Sequence, residues 1–274
     1  MLTDTHAHLY WESFKKDFDE VLKRALEAGV STIINVGVNL EKSQEALQQV
    51  KGKLAGIPGL DAYSTIGIHP HEALCYVQGK LSEDIEKLEL IYHSAPEKVV
   101  AVGECGLDIT PTDLQIKLFQ IQIDLAKKLN LPLIIHCRDD RSQDPQNSEC
   151  WDKVIDMTKD HFGIYHCYSG LPHTTNYILR TTNFLVSFAA TITYPKNDYL
   201  RKAAQMLPLE RIVLETDSPF LPPQSKRGQR NEPSFITEVV DLIAQIKGVS
   251  LVEVEHQTAQ NAKKLFKLVA RSQI

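Results

Sequence analysis

Eight short runs rich in β-branched residues recur along the chain, near 2–8, 32–38, 63–69, 99–105, 132–137, 163–167, 184–190 and 211–217. Between them lie longer stretches such as "FKKDFDEVLKRALEAG" and "DLQIKLFQIQIDLAKKLN", whose apolar residues return every three or four positions, the period of one helix face. Gly29 and Asn130 stand where the C-caps of these two helices are expected. Eight strands alternating with helices predict an α/β fold, a TIM-type (β/α)8 barrel, with a last helical region from about 234 to 272. An open doubly wound sheet is the alternative. No G-x-G-x-x-G fingerprint follows the first strand, which counts against a dinucleotide-binding version of it. With 274 residues, 43% of them hydrophobic, the chain can fill one large core, and no repeat or Pro/Ser-rich linker divides it. A single domain over 1–274 is therefore expected.

Barrels of this type carry their chemistry at the C-terminal ends of several strands, and the polar residues fall there. His6 and His8 end the first run, His69 and His71 the third, and Glu104 with Asp108 the fourth. His136 ends the fifth, His166 the sixth, and Glu215 with Asp217 the eighth. Alternation puts His6, His8 and Asp4 on one face of the first strand, either as a metal grip or as a solvated face. Six of the ten histidines lie at strand ends, a concentration that points to a metal site; His93, His161, His173 and His256 fall in helical or turn segments. Cys105, Cys137 and Cys167 each follow a candidate ligand by one position, so alternation turns them into the core.

Charge and cysteine use set the surroundings. Thirty-five acidic against 30 basic residues give −5, which excludes a strong global field for nucleic acid, so any phosphate binding must be local. Five cysteines without clustered spacing argue against a disulfide framework. No signal-like start and no apolar run of about 20 residues is present, so a cytoplasmic protein without a membrane partner is expected.

The ordered set "TDTHAHL", "GIHPHEA", "GECGLD", "HCRD", "HCYSG", "ETDSPFLPP" and "RGQRNEP" resembles the TatD family of metal-dependent deoxyribonucleases, from about residue 2 to 266. The resemblance implies two divalent metal ions. His6, His8 and Asp217 would bind one, His136 and His166 the other, with Glu104 bridging. A shared carboxylate holds such ions roughly 3.5–4 Å apart, the spacing of two-metal phosphate-ester chemistry. Mixed imidazole and carboxylate donors suit Zn, Mn or Fe, whereas the family implies Mg or Mn. Asp217 would also orient the attacking water and take its proton. Glu215 is expected either to anchor a histidine ligand or to form a buried ion pair.

Substrate contacts are expected from the loops. Lys226, Arg227 and Arg230 offer three cations for a nucleic-acid backbone, or simply a solvated basic loop. The family match covers Arg227, Asn231 and Glu232, the last two of which could instead pin the loop. Arg138, Asp139 and His71 are further candidates for phosphate contact or for support of the ligands. Two features depart from the family pattern: "GLD" runs into "ITPTD" rather than an aromatic pair, and the loop at 138–148 is rich in Asp. The first leaves stacking on a base from that loop in doubt. The implied activity is 3′-5′ exonuclease cleavage of DNA, met at its ends and in single-stranded form. Hydrolysis of another ester, such as a D-aminoacyl-tRNA, and a non-enzymatic binding module are the alternatives.

Overall fold

The computed structural model describes residues 1–76, 79–109 and 111–268. Eight parallel strands follow one another in sequence order around a barrel: β1 (Leu2–Ala7), β2 (Val30–Asn35), β3 (Asp61–Ile66), β4 (Val99–Ile109), β5 (Leu133–Asp139), β6 (Gly163–Tyr165), β7 (Leu185–Phe188) and β8 (Ile212–Leu214). The first and last strands close at their upper ends, where Ala7 bridges Ser218, His8 N donates to Ser218 O at 2.8 Å and Asp217 N donates to His6 O at 2.9 Å. The open-sheet alternative therefore falls, and the residues that close the barrel belong to the candidate site.

The helices form because each offers one apolar stripe to the strands. In α1 (Phe18–Glu27) the buried residues are Phe18, Val21, Leu22 and Ala25, at helical spacing. Further round come α2 (Leu40–Lys51), α3 (Leu81–Ser94), α4 (Asp113–Leu129), α5 (Glu149–Thr158), α6 (Pro172–Thr181) and α7 (Asp198–Met206). The Thr112 side chain accepts from Gln115 N to start α4, and Asn130, left-handed at φ 52°, ends it. Gly29, at φ 85°, follows α1 in the same role.

The last helical region is two helices, α8 (Ile236–Lys247) and α9 (Leu251–Phe266), broken by Gly248 at φ 67°. The expected stretch 269–272 lies outside the described residues. Ala262 and Phe266 of α9 pack on the lower interior of the barrel, against Tyr63, Val100, Ile134 and Ile164. The apolar plug leaves the polar residues to the opposite end. Among the described residues no helix is long and apolar enough to cross a membrane.

Strand lengths depart from expectation where the site is built. β4 continues to Ile109, because it stays paired with β5 from Cys105↔Ile135 through Ile109↔Asp139. Arg138 and Asp139 thus belong to β5, not to the loop that follows. β6 and β8 are three residues each, so His166, Glu215 and Asp217 lie just beyond their strands.

Candidate metal centre

Glu104 is the hub of the upper end. One of its oxygens, Oε2, lies 3.4 Å from His6 Nε2 and 3.9 Å from His8 Nε2. The other, Oε1, lies 2.9 Å from His136 Nδ1, 3.4 Å from His69 Nε2 and 3.5 Å from His166 Nε2. Asp217 Oδ1 completes the first group, 3.5 Å from His8 Nε2 and 3.8 Å from His6 Nε2. The His6 ring stacks on that of His166 with centroids 3.6 Å apart, which holds the two groups together.

Neighbouring atoms set which ring nitrogens face the centre. His8 Nδ1 lies 2.8 Å from Val36 O, an acceptor only, so the proton sits there and Nε2 turns a lone pair inward. His69 is the reverse. Its Nδ1 accepts from His71 N at 3.1 Å, leaving the Nε2 proton to point at Glu104. His69 therefore orients the hub carboxylate. Glu215, fully buried, sets its Oε1 2.9 Å from His166 Nδ1 and accepts from Cys167 N at 2.6 Å.

The donor set fits metal ions. His6 and His8 point Nε2 atoms at each other across 3.1 Å, and buried His6 Nδ1 has no hydrogen-bond partner among the described residues. Burial, with His166 adding to it, lowers the His6 pKa to about 3 and keeps the ring neutral, with one nitrogen lone pair to offer. Burial also pulls on His166, but the Glu215 and Glu104 carboxylates overcome it and lift the ring to about 10. Burial would raise Glu104, yet the surrounding imidazoles, His69 and His166 foremost, hold it well below the ordinary carboxylate value. Carboxylates that hold protons on these rings would hold a divalent cation in their place. Donor atoms of His6, His8 and Asp217 lie within 4.8 Å of one another.

Asp108 builds the next layer out. Arg138 clamps it with two hydrogen bonds of 2.7 and 2.9 Å, His71 bonds its Oδ2, and His136 Nε2 lies 3.3 Å from its Oδ1. Arg138 is half exposed. With His71 and Asp217 it lines a cavity of about 620 Å³ above the centre.

Several expected residues are elsewhere. Asp4 does not join His6 and His8; it accepts from Thr216 N (3.0 Å) and Oγ1 (2.6 Å), tying β1 to the segment after β8, and burial raises its pKa to about 7. Asp139 faces away from the cavity, accepting from Cys150 N at 2.8 Å and from Arg141. Arg230 is spent on Asp17, with two bonds of 2.7 Å, and on the carbonyl of Ser13. Arg227 is exposed and stacks over Tyr194 at 4.7 Å, and Lys226 over Phe235 at 5.6 Å, outside the cavity lining. Asn231 and Glu232 do pin their loop, through Thr216 O and Phe220 O and through Arg24.

Cys105 and Cys137 are core, as expected, Cys137 also bordering the cavity, but Cys167 lines the cavity. β6 stops at Tyr165 and Cys167 is left-handed at φ 40°, so strand alternation no longer sets its direction. The sequence reading also missed Trp11 and Phe220, aromatic residues in the same wall. The available signal was their position, each three residues after a candidate ligand.

Comparison with known proteins places the chain in a family. The family model for TatD-related DNases matches residues 3–267. An uncharacterized metal-dependent hydrolase of Bacillus subtilis, YabD, is 34% identical over 98% of this chain and 100% of its own length. The 3′-5′ ssDNA/RNA exonuclease TatD of Erwinia tasmaniensis is 32% identical over 97% and 99%. Among solved structures, the TatD homologue YJJV of Escherichia coli K12 superposes with a TM-score of 0.83 at 27% identity, covering 98% of each chain. Sequence, fold and a buried cluster of imidazoles around one carboxylate converge: the chain belongs to the TatD-related DNase family of metal-dependent hydrolases.

Proposed function

We propose that this protein is a two-metal phosphodiesterase that removes nucleotides from the 3′ ends of DNA, single-stranded ends first. The observation that carries the reading is the division of Glu104, whose Oε2 faces His6 and His8 while Oε1 faces His136 and His166. Two divalent ions, Mg, Mn or Zn, would share that carboxylate, the first with His6, His8 and Asp217, the second with His136 and His166. Bound there, they would supply Lewis-acid polarisation of the phosphoryl group and a water of lowered pKa.

The chain's own groups do the rest. Asp217, on the cavity wall, orients the attacking water and accepts its proton at the carboxylate. Arg138, fixed in place by Asp108, presents its guanidinium to a phosphate oxygen, and His71 stands beside it. Glu215 keeps the His166 ring aimed inward. An enzyme acting at ends needs few phosphate contacts, which agrees with a net charge of −5. The TatD relative named as an ssDNA/RNA exonuclease supports a nucleic-acid substrate, and five free thiols fit a reducing cytoplasm.

Digestion of 5′-labelled single-stranded and duplex DNA with Mg or Mn tests the reading, with chelator and Asp217→Asn as controls. A ladder shortening from the 3′ end, absent in both controls, is expected. Intact DNA with metal bound would move the reaction to another ester, D-aminoacyl-tRNA among them.

A further inference from the structure

Two aromatic side chains stand in the cavity wall with no part in the chemistry above. Trp11 and Phe220 meet edge to face, centroids 5.2 Å apart and planes at 77°, and Phe220 keeps 41% of its surface exposed. An exposed phenylalanine alone says little. Its attachment says more.

Each ring sits at the end of a turn that begins on a ligand proposed above. Trp11 N donates to His8 O at 3.1 Å, and Phe220 N donates to Asp217 O at 2.9 Å. The two turns leave the barrel side by side, because His8 N is bonded to Ser218 O across the closing seam. The Phe220 ring lies 5.9 Å from the His8 ring. On the outer side Asn231 Nδ2 bonds Phe220 O at 2.7 Å, and Arg230 joins the second loop to Asp17. The corner formed by the two rings is therefore held at a set distance from the His6–His8–Asp217 group, braced from both sides.

We propose that the Trp11–Phe220 corner is a nucleobase-stacking subsite that receives the base of the nucleotide next to the scissile phosphate. The identity of the ligand rests on the nuclease reading; the rigid aromatic corner does not. The cavity of about 620 Å³ falls within the range of small-ligand pockets, roughly 300–1,000 Å³. Every base has a π-face, so stacking accepts all four, as an enzyme trimming ends must. It also supplies affinity where this acidic chain offers few cations. The base contact doubted at the shortened "ITPTD" loop is thus supplied from the opposite side of the barrel, by the turns after β1 and β8.

Calorimetric titration of the metal-loaded protein with thymidine 5′-monophosphate and with deoxyribose 5-phosphate, which lacks the base, tests this without a catalytic step. Wild type should bind the nucleotide about tenfold tighter than the base-free phosphate, the factor that stacking one base contributes. Phe220→Ala should remove that difference and leave the base-free affinity unchanged, and Phe220→Tyr should keep it. Equal affinity for the two ligands in wild type, no nucleotide binding, or a difference that survives Phe220→Ala would each overturn the subsite. A tenfold difference lost in Phe220→Ala, alongside no DNA cleavage in the ladder assay, would uphold the subsite while removing the nuclease reading.

Discussion

Glu215 Oε1 lies 2.9 Å from His166 Nδ1 and accepts from Cys167 N at 2.6 Å, so one fully buried carboxylate holds both a ring and the backbone beside it. Glu215→Gln keeps the size but removes the charge that favours an inward-pointing imidazole. Metal affinity should fall about 10–100-fold, the usual effect of removing a partner behind a ligand. Equilibrium dialysis with metal analysis measures it, and saturating metal should restore most of the turnover. Unchanged affinity would mean that Glu215 is a structural ion pair only.

Glu104 and Asp217 should separate on two readouts. Glu104→Ala removes the carboxylate shared by both imidazole groups, so metal content and activity should vanish together. Asp217→Asn keeps an oxygen donor but not the proton acceptor, so turnover should fall by more than metal content. Metal analysis beside the ladder assay distinguishes them. Near-wild-type activity in Glu104→Ala sinks the two-metal proposal.

Gly106 of β4 has no room for a side chain against β5. A Cβ there would stand 1.9 Å from His136 O, and the backbone is at φ 143°. Gly106→Ala must push His136 outward or strain the ladder, at a cost on the order of 3 kcal/mol. Thermal unfolding should show the loss, accompanied by weaker metal binding because the displaced residue is a proposed ligand. A native melting temperature would contradict the close approach.

The loop after β8 should be pH-sensitive in stability. Burial would raise Glu232, but Arg24 and Ser234, bonded to its carboxylate, hold it below its ordinary value of 4.5. A depressed carboxylate contributes its full stabilisation above the unfolded pKa and loses it as pH falls through the folded one. Glu232→Gln should therefore cost about 1–2 kcal/mol at pH 7, and the difference from wild type should shrink at pH values below 4.5. Urea unfolding at several pH values checks the sign; a difference growing toward acid would refute it.

Strand and helix periodicity were legible along the chain because they are local. Period-two runs and helical stripes follow from where each side chain must point, and eight alternating units left few ways to close. Strand ends were less legible. β4 runs to Ile109 because β5 pairs with it there, and β6 stops at Tyr165, after which alternation fails for Cys167. His6, His8, Glu104, His136, His166 and Asp217 come together as a barrel with its chemistry at the strand ends requires.

What the sequence by itself determined was the barrel, its order of elements and the rim on which imidazoles and carboxylates gather, since each depends on spacing within one segment. Only the tertiary structure decided the partners of polar side chains past the strands. Asp4 goes to Thr216, Asp139 to the Cys150 amide and Arg230 to Asp17, each leaving the centre for a nearer partner. Trp11 and Phe220, 209 positions apart in the chain, meet because the seam between β1 and β8 sets their turns side by side. A side chain's direction beyond a regular element is set by the hydrogen bonds and packing it finds in space, and sequence spacing carries no record of those.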